Sequence, residues 1–169
     1  MKTQLVLQKY LKGGGTLEAL AETYAVKVVR HKTYPNLILF KYNQIASDMN
    51  LPIVQECQGV ILDEADDWRV VGRAYSKFIN YGEPNAAEID WVTARVQEKV
   101  DGSLCMAFEY KGSWHVATTG SPDAGGPVGD NSEMTFAALP GSPQTGAIRL
   151  SCRAKVCAGQ KQKSVSPSG

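Results

Sequence analysis

The chain has 169 residues, of which 43% are hydrophobic and 21% charged, and its formal net charge is +1. This length allows one domain with a sizeable core, or a fragment of a larger one, and no apolar run is long enough to cross a bilayer. The four cysteines have no regular spacing and do not suggest a disulfide scaffold. The start MKTQLVLQKYLK has no signal-peptide pattern, so we expect a cytoplasmic protein.

Two N-terminal segments carry apolar residues at helical spacing. Leu7 and Leu11 predict a short helix that ends at the glycine run 13–15. A second helix follows Thr16, the expected N-cap. Its apolar face comprises Leu17, Leu20, Ala21 and Tyr24.

Six later segments are short, rich in β-branched and aromatic residues, and bounded by turn residues, which predicts strands. They are VKVVRH (26–31), NLILFKY (36–42), QGVILDE (58–64), RVVGRAY (69–75), SLCMAFEY (103–110) and SWHVATTG (113–120). The last two are separated only by Lys111 and Gly112, as in a hairpin. Helices followed by a run of strands predict an α+β fold with an antiparallel sheet.

The composition changes toward the C-terminus. Residues 121–134 are rich in glycine and proline and predict a loop. Residues 140–169 hold five Lys and Arg and no acid, whereas residues 1–139 have a net charge of −4. We therefore divide the chain into a domain over 1–139 and a basic, low-complexity tail over 140–169. The tail is expected to be disordered, with phosphate contacts to nucleic acid as the alternative.

Lys99 stands in the tetrapeptide Lys-Val-Asp-Gly, between apolar segments. Asp-Gly is a strong hairpin signal, so the lysine has a purely structural interpretation as a turn residue. The chemical alternative is an amine nucleophile that attacks a phosphorus atom. That role requires a lowered pKa, because a free lysine has a pKa near 10.4, and it requires other cations around the phosphates. The tetrapeptide alone leaves both interpretations open.

Four blocks in order resemble the phage T-even-type RNA ligase 1 family, ATP-dependent enzymes of the covalent nucleotidyltransferase superfamily. The blocks are FKYNQ (40–44), ECQGVILDE (56–64), GRAYSKFINYGE (72–83) and EKVDGSL (98–104). The resemblance covers roughly residues 40–136, the N-terminal part of such an enzyme. It implies an adenylyltransferase domain that uses ATP and Mg²⁺ and joins RNA ends bearing a 5′-phosphate and a 3′-hydroxyl.

Carried over position by position, the resemblance implies that Lys99 is the adenylylated nucleophile and that Asp101 and Gly102 complete its motif. It also implies that Lys77 holds phosphate and that Tyr42 lies near the nucleotide pocket. The structural alternatives are a solvated lysine at a strand end and a tyrosine that packs in the core.

Three further nucleotide-site positions depart from the family pattern. Ile79 stands where the family often has an aromatic residue that would stack on the base. Gln58 replaces an arginine and Thr119 replaces a lysine, so two cationic positions are neutral here. We interpret Glu56 and Cys57, which precede Gln58, as structural.

The family's three downstream motifs are not recognisable beyond about residue 139, where the composition also changes. A frame change or a premature end in the coding sequence would account for both observations. The resemblance therefore implies a truncated RNA ligase-like nucleotidyltransferase that forms a lysine–AMP intermediate for RNA end joining or repair and is weak or inactive alone. The alternatives are a non-catalytic remnant that binds nucleotide or RNA, and an unrelated β-rich domain with a chance turn motif.

Overall fold

The computed structural model describes residues 4–75, 80–83, 86, 88–94, 104–128 and 131–135. Within these residues the chain forms three helices and eight strands. In chain order they are α1 (Val6–Lys12), α2 (Leu17–Tyr24), β1 (Val26–Arg30), β2 (Leu37–Tyr42), α3 (Pro52–Glu56), β3 (Gln58–Asp63), β4 (Arg69–Gly72), β5 (Cys105–Tyr110), β6 (Ser113–Thr118), β7 (Pro127–Val128) and β8 (Asn131–Thr135).

The strands form three antiparallel sheets: β1-β2-β3-β4, the β5–β6 hairpin, and the β7–β8 pair. The α+β prediction is confirmed, although the strands do not form one continuous sheet. The two N-terminal helices are also confirmed, and the Thr16 hydroxyl accepts a hydrogen bond from Ala19 N at 3.1 Å. No helix among the described residues is long and apolar enough to cross a membrane.

The four-stranded sheet is covered on both faces. Helices α1 to α3 pack on one face through residues that include Leu7, Leu20, Phe40, Val54 and Val60. The β5–β6 hairpin packs on the other face. The second cluster there comprises Leu37, Leu39 and Ile61 from the sheet and Met106, Phe108, Tyr110 and Ala117 from the hairpin. Burial on both faces explains why residues 37–40 of β2 are all fully buried and apolar, instead of alternating.

Three elements differ from the sequence prediction. Helix α3 has only five residues, too few for an apolar period to be recognised. Strand β7 and all of β8 except its last residue, Thr135, lie within the segment predicted to be a loop. Only Gly129 and Asp130 separate them in the sequence, a spacing typical of a hairpin that the glycine- and proline-rich composition concealed. The predicted tail over 140–169 lies outside the described residues.

Candidate functional site

A β-bulge at Gly59 brings the start of β3 against the turn that follows β6. Phe40 pairs with Val60, but the next residue, Lys41, pairs with Gln58, so Gly59 has no partner in β2. Gly59 has a φ of +79°, which suits glycine. A β-carbon on Gly59 would lie 2.8 Å from Thr119 Cα. The close approach of the two backbones therefore requires glycine here.

This contact places Thr119 against the residue that directly follows Gln58, so two predicted nucleotide-site positions lie close together. Gln58 directly precedes the bulge, and Thr119 directly follows β6. Among the described residues, Gln58 Oε1 is buried and has no hydrogen-bond partner. A buried amide oxygen without a partner costs free energy, so the Gln58 side chain has unused hydrogen-bonding capacity.

The turn that carries Thr119 is fixed by local hydrogen bonds. Thr118 Oγ1 accepts from the backbone N–H of Gly120 at 3.3 Å and of Ser121 at 3.1 Å. Thr118 N donates in return to Ser121 O at 2.9 Å. The turn therefore holds Thr119 and Gly120 in a defined position beside β3.

Lys41 is a cation at this site that sequence reasoning missed. Its Nζ lies 3.5 Å from where a β-carbon on Gly120 would be, so the ammonium group lies against the turn after β6. A signal was available, because Lys41 directly precedes Tyr42 in the block FKYNQ. Within that block, the family pattern implies a role for Tyr42 alone.

Tyr42 lies on the other face of the sheet from Lys41. Its side chain packs against the helix-side core with Phe40, and its backbone N–H donates to Cys57 O at 2.6 Å. The packing corresponds to the structural alternative for this residue. The structure does not bring the Tyr42 side chain to the face that carries Thr119, and its contact with nucleotide stays a prediction.

Five predicted site residues lie outside the described residues: Lys77, Ile79, Lys99, Asp101 and Gly102. The strand that follows the lysine motif is described, however. Strand β5 begins at Cys105, which pairs with Thr118 next to the turn. The first described strand after the motif therefore begins beside the contact between Gly59 and Thr119.

Glu56 and Cys57 make the structural contacts expected of them. Glu56 Oε2 accepts a hydrogen bond from Leu7 N at 3.0 Å and so joins α3 to α1. Cys57 is fully buried and its thiol donates to Ile53 O at 3.1 Å. Burial, reinforced by the Glu56 charge, raises the pKa of the Cys57 thiol to about 12. A thiol held protonated in this way is a poor nucleophile.

A polar network at the opposite end of β2 attaches the hairpin to the sheet. The buried Asp63 carboxylate accepts hydrogen bonds from Asn36 Nδ2 at 2.6 Å, Tyr110 OH at 2.9 Å and Ala65 N at 3.1 Å. Burial alone would raise the pKa of Asp63, but these hydrogen bonds and the Arg69 charge outweigh it and lower the pKa. The network fixes the hairpin on the sheet, and therefore the position of its other end at Thr119.

His31 and His115 form an aromatic cluster with Tyr34 between β1 and the hairpin. His31 Nδ1 accepts hydrogen bonds from Thr33 N at 3.1 Å and Tyr34 N at 3.3 Å. Burial lowers the pKa of His31, although the nearby Asp123 carboxylate opposes the shift. The cluster packs the turn after β1 against β6 and favours a neutral imidazole.

The described residues contain no group of three or more His, Cys, Asp and Glu side chains that could hold a metal ion. Mg²⁺ is commonly held by one or two carboxylates together with substrate phosphates and water. A dedicated cluster is therefore not required for Mg²⁺ that enters with a nucleotide, and none of the described residues is assigned as its ligand.

Comparison with known proteins connects this site to a family. A family model described as RNA ligase matches residues 56–142. That range contains Gln58, Thr119 and all five predicted site residues that the structure does not describe, whereas Tyr42 and Lys41 precede it.

Two curated relatives are similar to the chain. One is the "Putative bifunctional polynucleotide kinase/RNA ligase" of Autographa californica nuclear polyhedrosis virus, 32% identical in an alignment of 127 positions that covers 69% of this chain and 18% of the relative. The other is the "RNA ligase" of Rhodothermus phage RM378, 26% identical in an alignment of 152 positions that covers 76% of this chain and 34% of the relative. The chain thus spans about a fifth and about a third of their lengths. No solved structure matches significantly.

Proposed function

The chain belongs to the RNA ligase family, and we propose that it performs the first step of ATP-dependent RNA ligation, the transfer of AMP from ATP to Lys99. The observation that carries this proposal is the contact of Thr119 with Gly59, the residue directly after Gln58, because it brings two predicted nucleotide-site positions that are far apart in the sequence close together. The match of the RNA ligase family over residues 56–142 supports it.

The step is a displacement at the α-phosphorus of ATP. The unprotonated Nζ of Lys99 attacks, a P–N bond forms, and the P–O bond to the β-phosphate breaks. Pyrophosphate leaves with the bonding electron pair, and the amine gives up its proton. Since a free lysine has a pKa near 10.4, the pocket must favour the neutral amine. Burial and neighbouring cations are the physical means.

Magnesium is the expected companion of ATP. When bound, Mg²⁺ neutralises negative charge on the phosphates and polarises the reacting phosphorus. The work left to the chain is to bind the adenosine and the polyphosphate, to hold the amine in line with the leaving group, and to exclude water.

The proposed acceptor of AMP is RNA. The 5′-phosphate of an RNA end would attack the phosphorus of lysine–AMP, which releases the amine and forms a 5′–5′ pyrophosphate linkage. A 3′-hydroxyl would then attack the 5′-phosphorus, with AMP as the leaving group. Both steps remain proposals, supported by the RNA ligase names of the two relatives.

A second candidate, a non-catalytic module that binds nucleotide or RNA, is favoured by one observation. The residues at the Gly59 contact, Gln58 and Thr119, are both neutral. Phosphoryl transfer depends on positive charge around the phosphates, and removal of a single such group commonly costs about 100-fold to 1,000-fold in rate. A chain that bound ATP without forming an adduct would fit this candidate.

Intact-protein mass spectrometry after incubation with ATP and Mg²⁺ separates the two candidates. The proposal predicts that the wild-type chain gains the mass of one AMP and that Lys99→Arg, which keeps the charge, gains none. Lys111→Arg is the matched control, because Lys111 is an exposed lysine at the end of the β5–β6 hairpin that lies away from Thr119, and this variant should label like the wild type. Binding of ATP without a mass increase would favour the non-catalytic module.

A further inference from the structure

Lys41 projects toward the turn after β6 because of its place on β2. Residues on the two sides of it, Phe40 and Tyr42, belong to the helix-side core. Side chains alternate along a strand, so Lys41 points to the face that carries the hairpin. The 3.5 Å distance between its Nζ and the β-carbon position of Gly120 agrees with this orientation.

The charge of Lys41 is not neutralised within the described part of the chain. The ion pairs between described residues use Lys12, Arg30, Lys32 and Arg69 as cations, and none uses Lys41. Its partners across the neighbouring strands are Lys27 in β1 and Gln58 in β3. Like charges directly opposite each other on a sheet are unfavourable. An anion bound at Lys41 would relieve this repulsion.

The surroundings of Lys41 are suited to an oxygen-rich anion. Gly120 contributes no side chain, which leaves space beside the ammonium group. Gln58, directly opposite Lys41, has a buried amide oxygen without a hydrogen-bond partner among the described residues, and a reoriented amide would present its NH₂ group to a phosphate. The Gly59 bulge places Gln58, Thr119 and Gly120 around this one cation.

We propose that Lys41 contacts the polyphosphate of ATP at the Gly59–Thr119 contact. Among the described residues placed at this contact, Lys41 carries a positive charge, while Gln58 and Thr119 are neutral. The inference rests on the proposed function, because it takes ATP to be the ligand of this site. It assigns a phosphate-binding residue that lies before the matched family range.

The test compares equilibrium binding of ATP by the full chain and by two matched variants, Lys41→Gln and Lys27→Gln, using calorimetry. Both variants remove one positive charge from the same row of the sheet, but only Lys41 contacts the turn at Gly120. Loss of one charge-assisted phosphate contact should raise the Kd of Lys41→Gln about tenfold or more. The Kd of Lys27→Gln should rise less than about threefold near physiological salt, because exposed charges are screened over about 8 Å.

Two further measurements separate phosphate binding from a loss of structure. Binding of adenosine, which has no phosphates, should be unchanged in Lys41→Gln. Adding Thr119→Lys to the Lys41→Gln background should recover most of the lost ATP affinity, because it returns a cation to the turn beside Gly120. A merely misfolded site would not be repaired by a second substitution.

The outcomes are distinguishable from those of the proposed function. Equal ATP affinity in Lys41→Gln and Lys27→Gln would overturn the role of Lys41 even if Lys99 carries AMP. A parallel loss of adenosine binding would also overturn it, since the side chain would then support the fold rather than bind phosphate. A wild-type chain that does not bind ATP would overturn both proposals. Persistence of the AMP adduct in Lys99→Arg would overturn the proposed nucleophile alone.

Discussion

Replacement of Gly59 by alanine tests whether the bulge holds the candidate site together. The new β-carbon would lie 2.8 Å from Thr119 Cα and 3.2 Å from Thr119 O, both backbone atoms. A flexible side chain cannot move aside to relieve this contact, so the strand or the turn must shift. The residue would also hold a φ of +79°, which side chains disfavour.

Gly112→Ala is the matched control for Gly59→Ala. Gly112 has a φ of +76°, and a β-carbon on it would meet no atom within 4 Å. Gly112→Ala therefore costs only the free energy of holding a non-glycine residue in the left-handed conformation, about 1–2 kcal/mol. Gly59→Ala adds a packing conflict of the kind that costs about 1–3 kcal/mol. We expect Gly59→Ala to lower the free energy of unfolding by about 1–3 kcal/mol more than Gly112→Ala does.

The assay is urea unfolding of both variants, followed by far-ultraviolet circular dichroism, together with ATP titration under native conditions. Gly59→Ala should also weaken ATP binding, because it displaces Thr119 from the start of β3. Gly112→Ala changes the other end of the hairpin and should leave ATP binding unchanged. Equal losses of stability in the two variants, or unchanged ATP affinity in a folded Gly59→Ala chain, would refute the reasoning.

Three other predictions concern charge and hydrogen bonding. Gln58→Arg and Thr119→Lys should each strengthen ATP binding by about 1–2 kcal/mol if the side chain reaches phosphate, and equal calorimetric affinities of the double variant and the wild type at low salt would contradict this. Tyr110→Phe removes the hydroxyl that donates to Asp63 and should cost about 1–3 kcal/mol in urea unfolding; a loss of less than about 0.5 kcal/mol would mean that the hydrogen bond contributes little. The folded-state pKa of His31 lies below 6.5, so the unfolded chain takes up a proton there at a higher pH than the folded chain does. The free energy of unfolding should therefore decrease as the pH falls below 6.5. A His31→Asn variant with the same pH dependence as the wild type would exclude His31 as the cause.

The predictable part of the fold is the part that local patterns determine. Thr16 caps a helix because its hydroxyl satisfies a free N–H at the first turn, which the sequence shows directly. The turn between β5 and β6 is also local, because only Lys111 and Gly112 separate the two strand patterns. In the structure both residues adopt the positive φ that a tight turn requires. Such features depend on a few neighbouring residues, so the sequence is enough to find them.

The candidate site was only partly predictable, since it depends on contacts between distant segments. Gln58 and Thr119 were identified through the family pattern, but their contact depends on the bulge at Gly59, which shifts the pairing of β3 with β2. Lys41 was missed because it is an ordinary strand lysine until Gly120 is brought beside it. The local periodicity of apolar residues predicts neither the bulge nor the position of the turn.

The central claim is that Lys99 is the residue that accepts AMP. Incubation of the full chain with Mg²⁺ and ATP labelled at the α-phosphate, followed by peptide mapping, tests it most directly. The account predicts label on one peptide, the one that contains Lys99, through an acid-labile and alkali-stable bond, with no label from ATP marked at the γ-phosphate and none in Lys99→Arg. Label on any other residue, or label that persists in Lys99→Arg, would contradict it.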